Sequence, residues 1–156
     1  MTPNVDERLA SIIRSLSEVV LPHLPPEASL AQEQVHLCIG HLQILRAQID
    51  HVPAFEQEEL GDAVSIAREL IGSTTGGEAT SAAIESLRNA ADAAGSGHMR
   101  QDRKQVLEAV DALIKAVASD GSAQAKADLS DIILRHETER SLKDRRWFAP
   151  FGFDTV

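Results

Sequence analysis

Cysteine and aromatic residues are scarce in this sequence, and it has neither a long apolar run nor an excess of basic residues. Cys38 is the only cysteine among 156 residues, which excludes an internal disulfide and a cysteine-rich zinc site and is typical of a reducing compartment. No segment approaches the ~20 consecutive apolar residues of a membrane-spanning helix, and the first residues lack the basic and apolar regions of a signal peptide. We therefore expect a cytoplasmic protein that does not insert into a membrane.

Acidic residues dominate the charge. Asp and Glu number 24 against 15 Lys and Arg, which gives a formal net charge of −9. Nucleic acids and anionic membranes attract clustered basic residues, so neither is expected as the main partner. Hydrophobic residues make up 43% of the chain and charged residues 25%. These values are close to those of globular proteins, so wholesale disorder is not expected.

Apolar residues recur at intervals of three and four in six segments, and no segment alternates apolar and polar residues as a half-buried strand does. Prolines and glycine-rich stretches at 72–77 and 95–97 separate these segments. The pattern predicts an all-α fold, a mostly antiparallel bundle of about six helices in a single domain, residues 1–156. The predicted helices begin near Asn4, Ser29, Pro53, Glu78, Asp102 and Ala123.

Residues 30–49 carry a particularly broad apolar pattern. Their apolar side chains cover more than half of a helix's circumference, which predicts the central helix of the bundle, wrapped by neighbours on most sides. Along the edge of that surface Gln34, His41 and Gln48 recur every seven residues, and His136 takes an inward position on the sixth helix. Buried amides and imidazoles need hydrogen-bond partners. These four residues therefore predict either a structural polar network or a pocket that orients an apolar small molecule.

Glu33 and His36 lie three residues apart on the remaining polar side of the same segment. Glu-x-x-His is the spacing that di-iron helical bundles use, although such a site needs a second pair and carboxylates from further helices. The alternative is a pair of solvated side chains that hold no metal.

Residues 58–62, EELGD, open the third helix with an acidic turn. Here the chain resembles the all-α NTP pyrophosphohydrolases, whose second metal motif is Glu-x-x-Asp. The resemblance implies that Glu59 and Asp62, with an upstream pair at Glu33 and His36, hold Mg²⁺ for triphosphate hydrolysis. His36 departs from the family pattern, which has a carboxylate at that position. An acidic first turn is also what any helix N-terminus favours.

The last ten residues hold most of the aromatic side chains. Pro150 and Gly152 are expected to keep this segment from continuing the sixth helix. Exposed aromatic side chains promote aggregation, so we predict that residues 146–156 pack onto the protein's own bundle or into a second subunit or partner. The aromatic residues concerned are Trp147, Phe148, Phe151 and Phe153.

No complete catalytic constellation is present in the sequence. The preferred prediction is a non-enzymatic protein that acts through protein–protein contact, most simply as a homodimer, and that needs no cofactor. A Mg²⁺-dependent pyrophosphohydrolase and a binding module for an apolar small molecule are the alternatives. The proline-bounded first helix, the Glu-x-x-His second helix and the aromatic end are together similar to small bacterial helical proteins, and no activity follows from that similarity.

Overall fold

In the computed structural model of the chain, residues 4–151 are described, and they form six α-helices and no strand. The predicted all-α fold is therefore confirmed. The chain divides into two compact units, Met1–Val52 and Pro53–Val156, and each is described by itself. The helices are α1 (Val5–Ser15), α2 (Ser29–Gln48), α3 (Val52–Ser73), α4 (Glu78–Ala93), α5 (Met99–Asp120) and α6 (Ala123–Phe148). None of these helices, within the part of the chain described, combines the length and the apolar character needed to cross a membrane.

The first unit is a pair of helices, and its start was predicted correctly. Asn4 caps α1 through a reciprocal box, in which its side chain accepts the Glu7 N–H at 2.8 Å and the Glu7 carboxylate accepts the Asn4 N–H at 3.0 Å. A π-helical turn, Leu16–Val20, and a 3₁₀ turn, Leu21–His23, follow α1, and the 3₁₀ turn contains Pro22. Arg46 on α2 donates two hydrogen bonds to Asp6, at 2.5 and 3.0 Å, and so ties α2 to the start of α1.

The prediction that residues 30–49 form the wrapped, central helix is wrong. Gln48 is the only side chain in residues 4–52 that is buried, and Cys38 is exposed. The apolar residues of α2 surround most of its circumference, but within this unit α1 covers only one side of it. The sequence pattern showed correctly that α2 is apolar on most sides. The inference that other helices cover all of those sides was wrong.

The second unit contains the hydrophobic core. All four of its helices contribute side chains that are sealed from solvent, with α3 and α5 providing the most. Each of these helices presents a single apolar stripe, so four stripes facing one another bury one another. The largest fully buried side chains are Leu70, Leu87, Leu113, Val106, Val117 and Thr80.

Two loops of this unit are tied together at one end. Residues 72–77, which were predicted to separate two helices, pair with the α5–α6 turn. The backbone hydrogen bonds run from Gly77 N to Asp120 O and from Ser122 N to Thr75 O, both at 3.0 Å. The Asp120 carboxylate also caps α4, because it accepts the Ala79 and Thr80 N–H groups at 2.8 and 3.0 Å. The hydrogen bond from the Thr80 hydroxyl and these two backbone bonds lower the pKa of Asp120 from its ordinary value of 3.8.

Helix α5 begins three residues before the predicted Asp102. The buried Asp102 side chain accepts the Gly95 and Gly97 N–H groups at 2.8 and 3.2 Å, so it closes the turn that precedes the helix. Gly95 has φ +89°, a left-handed conformation that glycine adopts without strain.

We expect Leu113→Ala to lower the free energy of unfolding by about 2–5 kcal/mol, because it leaves a cavity at a fully buried position of α5. Urea denaturation followed by circular dichroism measures the loss. Leu134→Ala on α6 is the matched control, since Leu134 is 66% exposed, and it should change stability by no more than about 0.5 kcal/mol. Equal losses in the two variants would contradict the position of the core.

Candidate functional site

The first unit has an exposed apolar surface. Of the eleven large hydrophobic side chains exposed in the described part of the chain, seven lie in residues 4–52. On α2 they include Leu30, 69% exposed, and Leu45, 55% exposed, with Leu37 between them. We call the set of exposed large apolar side chains on α1, α2 and the turn after α1 the outer face. Its exposed residues are Val5, Ile12, Val19, Val20, Leu30, Leu37 and Leu45.

The predicted pocket residues are divided between the two units. Gln34 and His41 are exposed on α2, and Gln48 is buried at its end. His136 belongs to α6 in the second unit, where its Nε2 donates to Glu69 Oε2 at 2.9 Å. Glu69 also accepts from Arg135. The hydrogen bonds from Arg135 and, second, from His136 lower the pKa of Glu69 from its ordinary value of 4.5. His136 therefore has a structural partner on α3.

The predicted metal ligands on α2 are both exposed. The His36 Nδ1 donates to the Gln32 carbonyl oxygen at 2.8 Å, a hydrogen bond within its own helix. In residues 4–151, no group of three or more His, Cys, Asp and Glu side chains is arranged to hold a metal ion. A metal site that includes Glu33 and His36 stays a prediction.

The other two predicted metal ligands, Glu59 and Asp62, lie beside a lysine. Lys143 on α6 donates to Asp62 Oδ2 at 2.7 Å, and its Nζ lies 3.5 Å from Glu59 Oε1 and 3.7 Å from Glu58 Oε2. One ammonium group thus faces three carboxylates from the start of α3. We call Lys143 and these three residues the acidic cluster.

Glu59 is the buried member of the acidic cluster, with 7% of its side chain exposed. Arg103 on α5 forms an ion pair with Glu59 Oε2 at 2.5 Å. Glu59 Oε1 is buried and accepts no hydrogen bond from any described residue. The Lys143 ammonium offsets the charge of that oxygen from 3.5 Å, at ion-pair distance, but does not supply a hydrogen bond of normal geometry.

Burial and charge act in opposite directions on Lys143. Its partial burial lowers the pKa of the ammonium, but the hydrogen bond to Asp62 and the charges of Asp62 and Glu59 outweigh it and raise the pKa above the ordinary 10.5. The ammonium also lies 5.5 Å from the centre of the Phe55 ring, on which Trp147 stacks at 4.4 Å. Lys143 and Trp147 thus hold the end of α6 against the start of α3.

A groove adjoins the acidic cluster between α3, α5 and α6. Its volume is about 730 Å³, and its wall includes Ile66, Val110 and Ile133. Glu59 and His136 also line it. The rim cations are each paired with a carboxylate of the chain, as Arg100 is with Glu56 and Arg140 with Glu137. The groove therefore combines an apolar wall with a nearly balanced charged rim.

The aromatic segment differs in part from its prediction. Helix α6 continues through Trp147 and Phe148, and the 3₁₀ turn Ala149–Phe151 follows it, so the helix does not stop before the aromatic residues. Trp147 stacks within its own unit, whereas Phe148 is exposed. The Phe151 side chain and all of Phe153 lie outside the residues described.

Sequence reasoning missed Lys143, Arg103 and Phe55 as parts of this site. A signal for Lys143 was present, because it lies seven residues after His136 and four before Trp147, on the continuation of the inward stripe of α6. Arg103 and Phe55 carry no comparable signal.

We expect Lys143→Met to destabilise the second unit by about 1–3 kcal/mol at neutral pH, because Glu59 then loses one of its two countercharges. The raised pKa means that the ammonium stabilises the folded state fully below pH 10.5, and that this contribution is lost as the pH rises through the folded pKa. Urea denaturation of wild type and variant at pH 7 to 11 measures the difference, which should shrink only above pH 10.5.

Lys104→Met provides the control for that experiment. Lys104 is exposed on the same groove and lies 3.7 Å from Glu108, so its loss should change stability by less than about 0.5 kcal/mol. A Lys143→Met variant as stable as the control would contradict the role assigned to the acidic cluster.

The chain was compared with family models, curated proteins and solved structures, and none of these matches it. The outer face and the groove are therefore the two features from which a function can be argued.

Proposed function

We propose that this protein is a non-enzymatic interaction module that associates with a second copy of itself through the outer face of α1 and α2. The observation that supports this is the absence of any buried apolar side chain in residues 4–52, together with seven large hydrophobic side chains exposed there. The spacing of Leu30, Leu37 and Leu45 puts them on one side of α2, and apolar side chains grouped in this way mark an interaction site.

A two-helix unit gains little stability by itself. Most helical stability in proteins comes from packing an apolar face against a neighbour, and α1, with eleven residues, is short enough to be marginal by itself in water. The second unit satisfies this need with four helices around one core. Two copies of the α1–α2 pair would supply the same number of helices, with their outer faces turned toward each other.

The charge of α2 fits a second copy as the partner. Two chains that each carry a net charge of −9 repel each other. Helix α2 is neutral, because Glu33 and Arg46 are its only charged residues among twenty. Protein interfaces are likewise depleted of charge at their centre. Identical copies can therefore approach along α2 without the repulsion that the rest of the surface imposes.

The enzymatic alternative has less support from the geometry. The motif that resembles pyrophosphohydrolases places Glu59 and Asp62 around Lys143, with Arg103 on the far oxygen of Glu59. These cations already neutralise the carboxylates that Mg²⁺ would need. The proposed module needs no cofactor. We place it in the cytoplasm, where reducing conditions keep Cys38 a thiol.

We expect the double variant Leu37→Glu/Leu45→Glu to be a monomer, because it brings like charges together at the centre of the outer face. Wild type should have twice the 16.9 kDa of the chain by light scattering at micromolar concentration. Leu134→Glu/Leu142→Glu is the matched control, since both leucines are exposed on α6 with the same eight-residue spacing. It should stay dimeric. A wild-type monomer at every concentration would refute the proposal.

The groove supports a second candidate function, binding of a small molecule. The specific observation is Glu59 Oε1, a buried acceptor that receives no hydrogen bond from the described residues, beside an apolar wall in about 730 Å³. The nearest cation, Lys143 Nζ, lies 3.5 Å from this oxygen, which leaves it able to accept a further hydrogen bond. A ligand with an apolar body and a hydrogen-bond donor would satisfy both the acceptor and the wall. His136 is the one predicted pocket residue that lines this groove.

Native mass spectrometry of the purified protein tests this second function. We expect a small molecule bound to wild type and about tenfold less of it bound to Glu59→Gln, which keeps the shape of the side chain and replaces acceptor oxygen by an amide. Glu108→Gln, on the exposed rim of the same groove, should retain the ligand. A thermal melt of each variant separates a lost ligand from a lost fold. Wild-type protein that carries no bound small molecule after gentle desalting would exclude this function.

A further inference from the structure

The exposed side of α2 has a symmetric order of residues. Along this side of the helix, pairs of apolar or small residues are separated by single polar residues. The order is the same when it is read from either end. Leu37 and Cys38 stand at the centre, and Gln34 and His41 lie at equal distances from it. We call these residues the α2 stripe, and all of them are exposed except Ile44, which is half-buried. The stripe consists of Leu30, Ala31, Gln34, Leu37, Cys38, His41, Ile44 and Leu45.

Such symmetry has a physical consequence for contact between two copies. In a parallel, in-register pair every residue faces itself, so any order of residues would do. In an antiparallel pair related by a twofold axis, the first half of the helix in one copy faces the second half of the helix in the other copy. Apolar residues then face apolar residues only if their order is the same from either end. The stripe has that order. Antiparallel α2 helices also oppose their dipoles favourably.

We infer that the second copy docks with its α2 antiparallel to α2 of the first, with the twofold axis passing beside Leu37 and Cys38. This inference rests on the self-association proposed above and specifies its geometry. Leu30 and Ala31 then face Ile44 and Leu45 of the other copy. The Gln34 amide faces the His41 imidazole, two groups that can donate to and accept from each other. Successive layers are 3.5 residues apart, about 5 Å along the helix.

The chain contains its own reporter for this arrangement. Cys38 is its only cysteine, so a covalent dimer formed by oxidation can join only Cys38 to Cys38. Packed helices lie about 8–10 Å apart, which brings facing Cα atoms within the ~4.4–6.8 Å that a disulfide spans. Oxidation by diamide removes two electrons and two protons from the two thiols, forms the S–S bond and reduces the diazene to a hydrazine. We expect a covalent dimer on a non-reducing gel and in solution.

The control for this reaction uses the same helix. Cys38→Ser/Ala47→Cys moves the thiol to an exposed position off the α2 stripe. It should form about tenfold less covalent dimer than wild type at equal concentration, because only thiols held side by side react at a high effective concentration. Equal cross-linking of the two proteins would overturn the stripe as the contact.

A second pair of variants tests the direction of the helices. Cys38→Ser/Gln34→Cys and Cys38→Ser/His41→Cys are oxidised separately and after mixing. The antiparallel arrangement predicts a covalent dimer mainly in the mixture, joining position 34 of one chain to position 41 of the other. A parallel arrangement predicts that each variant cross-links to itself. Peptide mapping by mass spectrometry identifies the linked positions.

The outcomes separate this inference from the proposed function. Dimeric wild type with a disulfide between positions 34 and 41 in the mixture supports both. Dimeric wild type in which each variant links to itself, or in which Cys38 fails to react, overturns the antiparallel geometry and leaves self-association intact. A monomeric wild type by light scattering refutes the self-association and this geometry with it.

Discussion

Covering the apolar side of each helix is the constraint on which this structure depends. Helices α3 to α6 satisfy it inside their own unit, where Leu70, Leu87 and Leu113 are removed from solvent. Helices α1 and α2 do not satisfy it, since Leu30, Leu37 and Leu45 face solvent. One chain thus contains a bundle with a closed hydrophobic core and a helix pair whose large apolar side chains are exposed. The proposed function follows from that difference, because only the second kind of surface gains free energy from association.

Electrostatics reinforces the same division. In the second unit charged side chains pair across helices, as Lys143 does with Asp62 and Arg103 with Glu59. These pairs fix α6 and α5 against α3 and leave the groove with a balanced rim. Helix α2 in contrast carries one acidic and one basic residue over its twenty positions. In the proposed dimer, a helix without net charge would allow two acidic chains to approach, and its apolar side chains would stabilise their contact.

Local features of the fold could be predicted from the sequence, and features that depend on distant residues could not. The Asn4 capping box, the end of α3 near Gly72 and the break at Gly95 follow from residues within a few positions of one another. The acidic residues at 58–62 were recognised, but α3 begins at Val52, so they do not form its first turn as predicted. Their countercharge was not recognised, since Lys143 is 81 residues away from Asp62. The breadth of the apolar pattern on α2 was also recognised and was taken for burial. The breadth of an apolar pattern shows how much of a helix surface is apolar. It does not show how many other helices pack against that surface, because that depends on the whole fold.

The sequence alone therefore determined that this chain is all-helical with about six helices, because helical periodicity, proline and capping residues act over single turns. It also proposed candidate residues: Gln34 and His41 from their seven-residue interval, Glu59 from a local resemblance to a known family, and Trp147 from the aromatic cluster at the end of the chain. Only the tertiary structure decided that the core belongs to α3–α6, that Glu59 is held by Arg103 and Lys143, and that α2 presents its stripe to solvent. Those outcomes depend on which helices meet, and contacts between residues forty or more positions apart decide that.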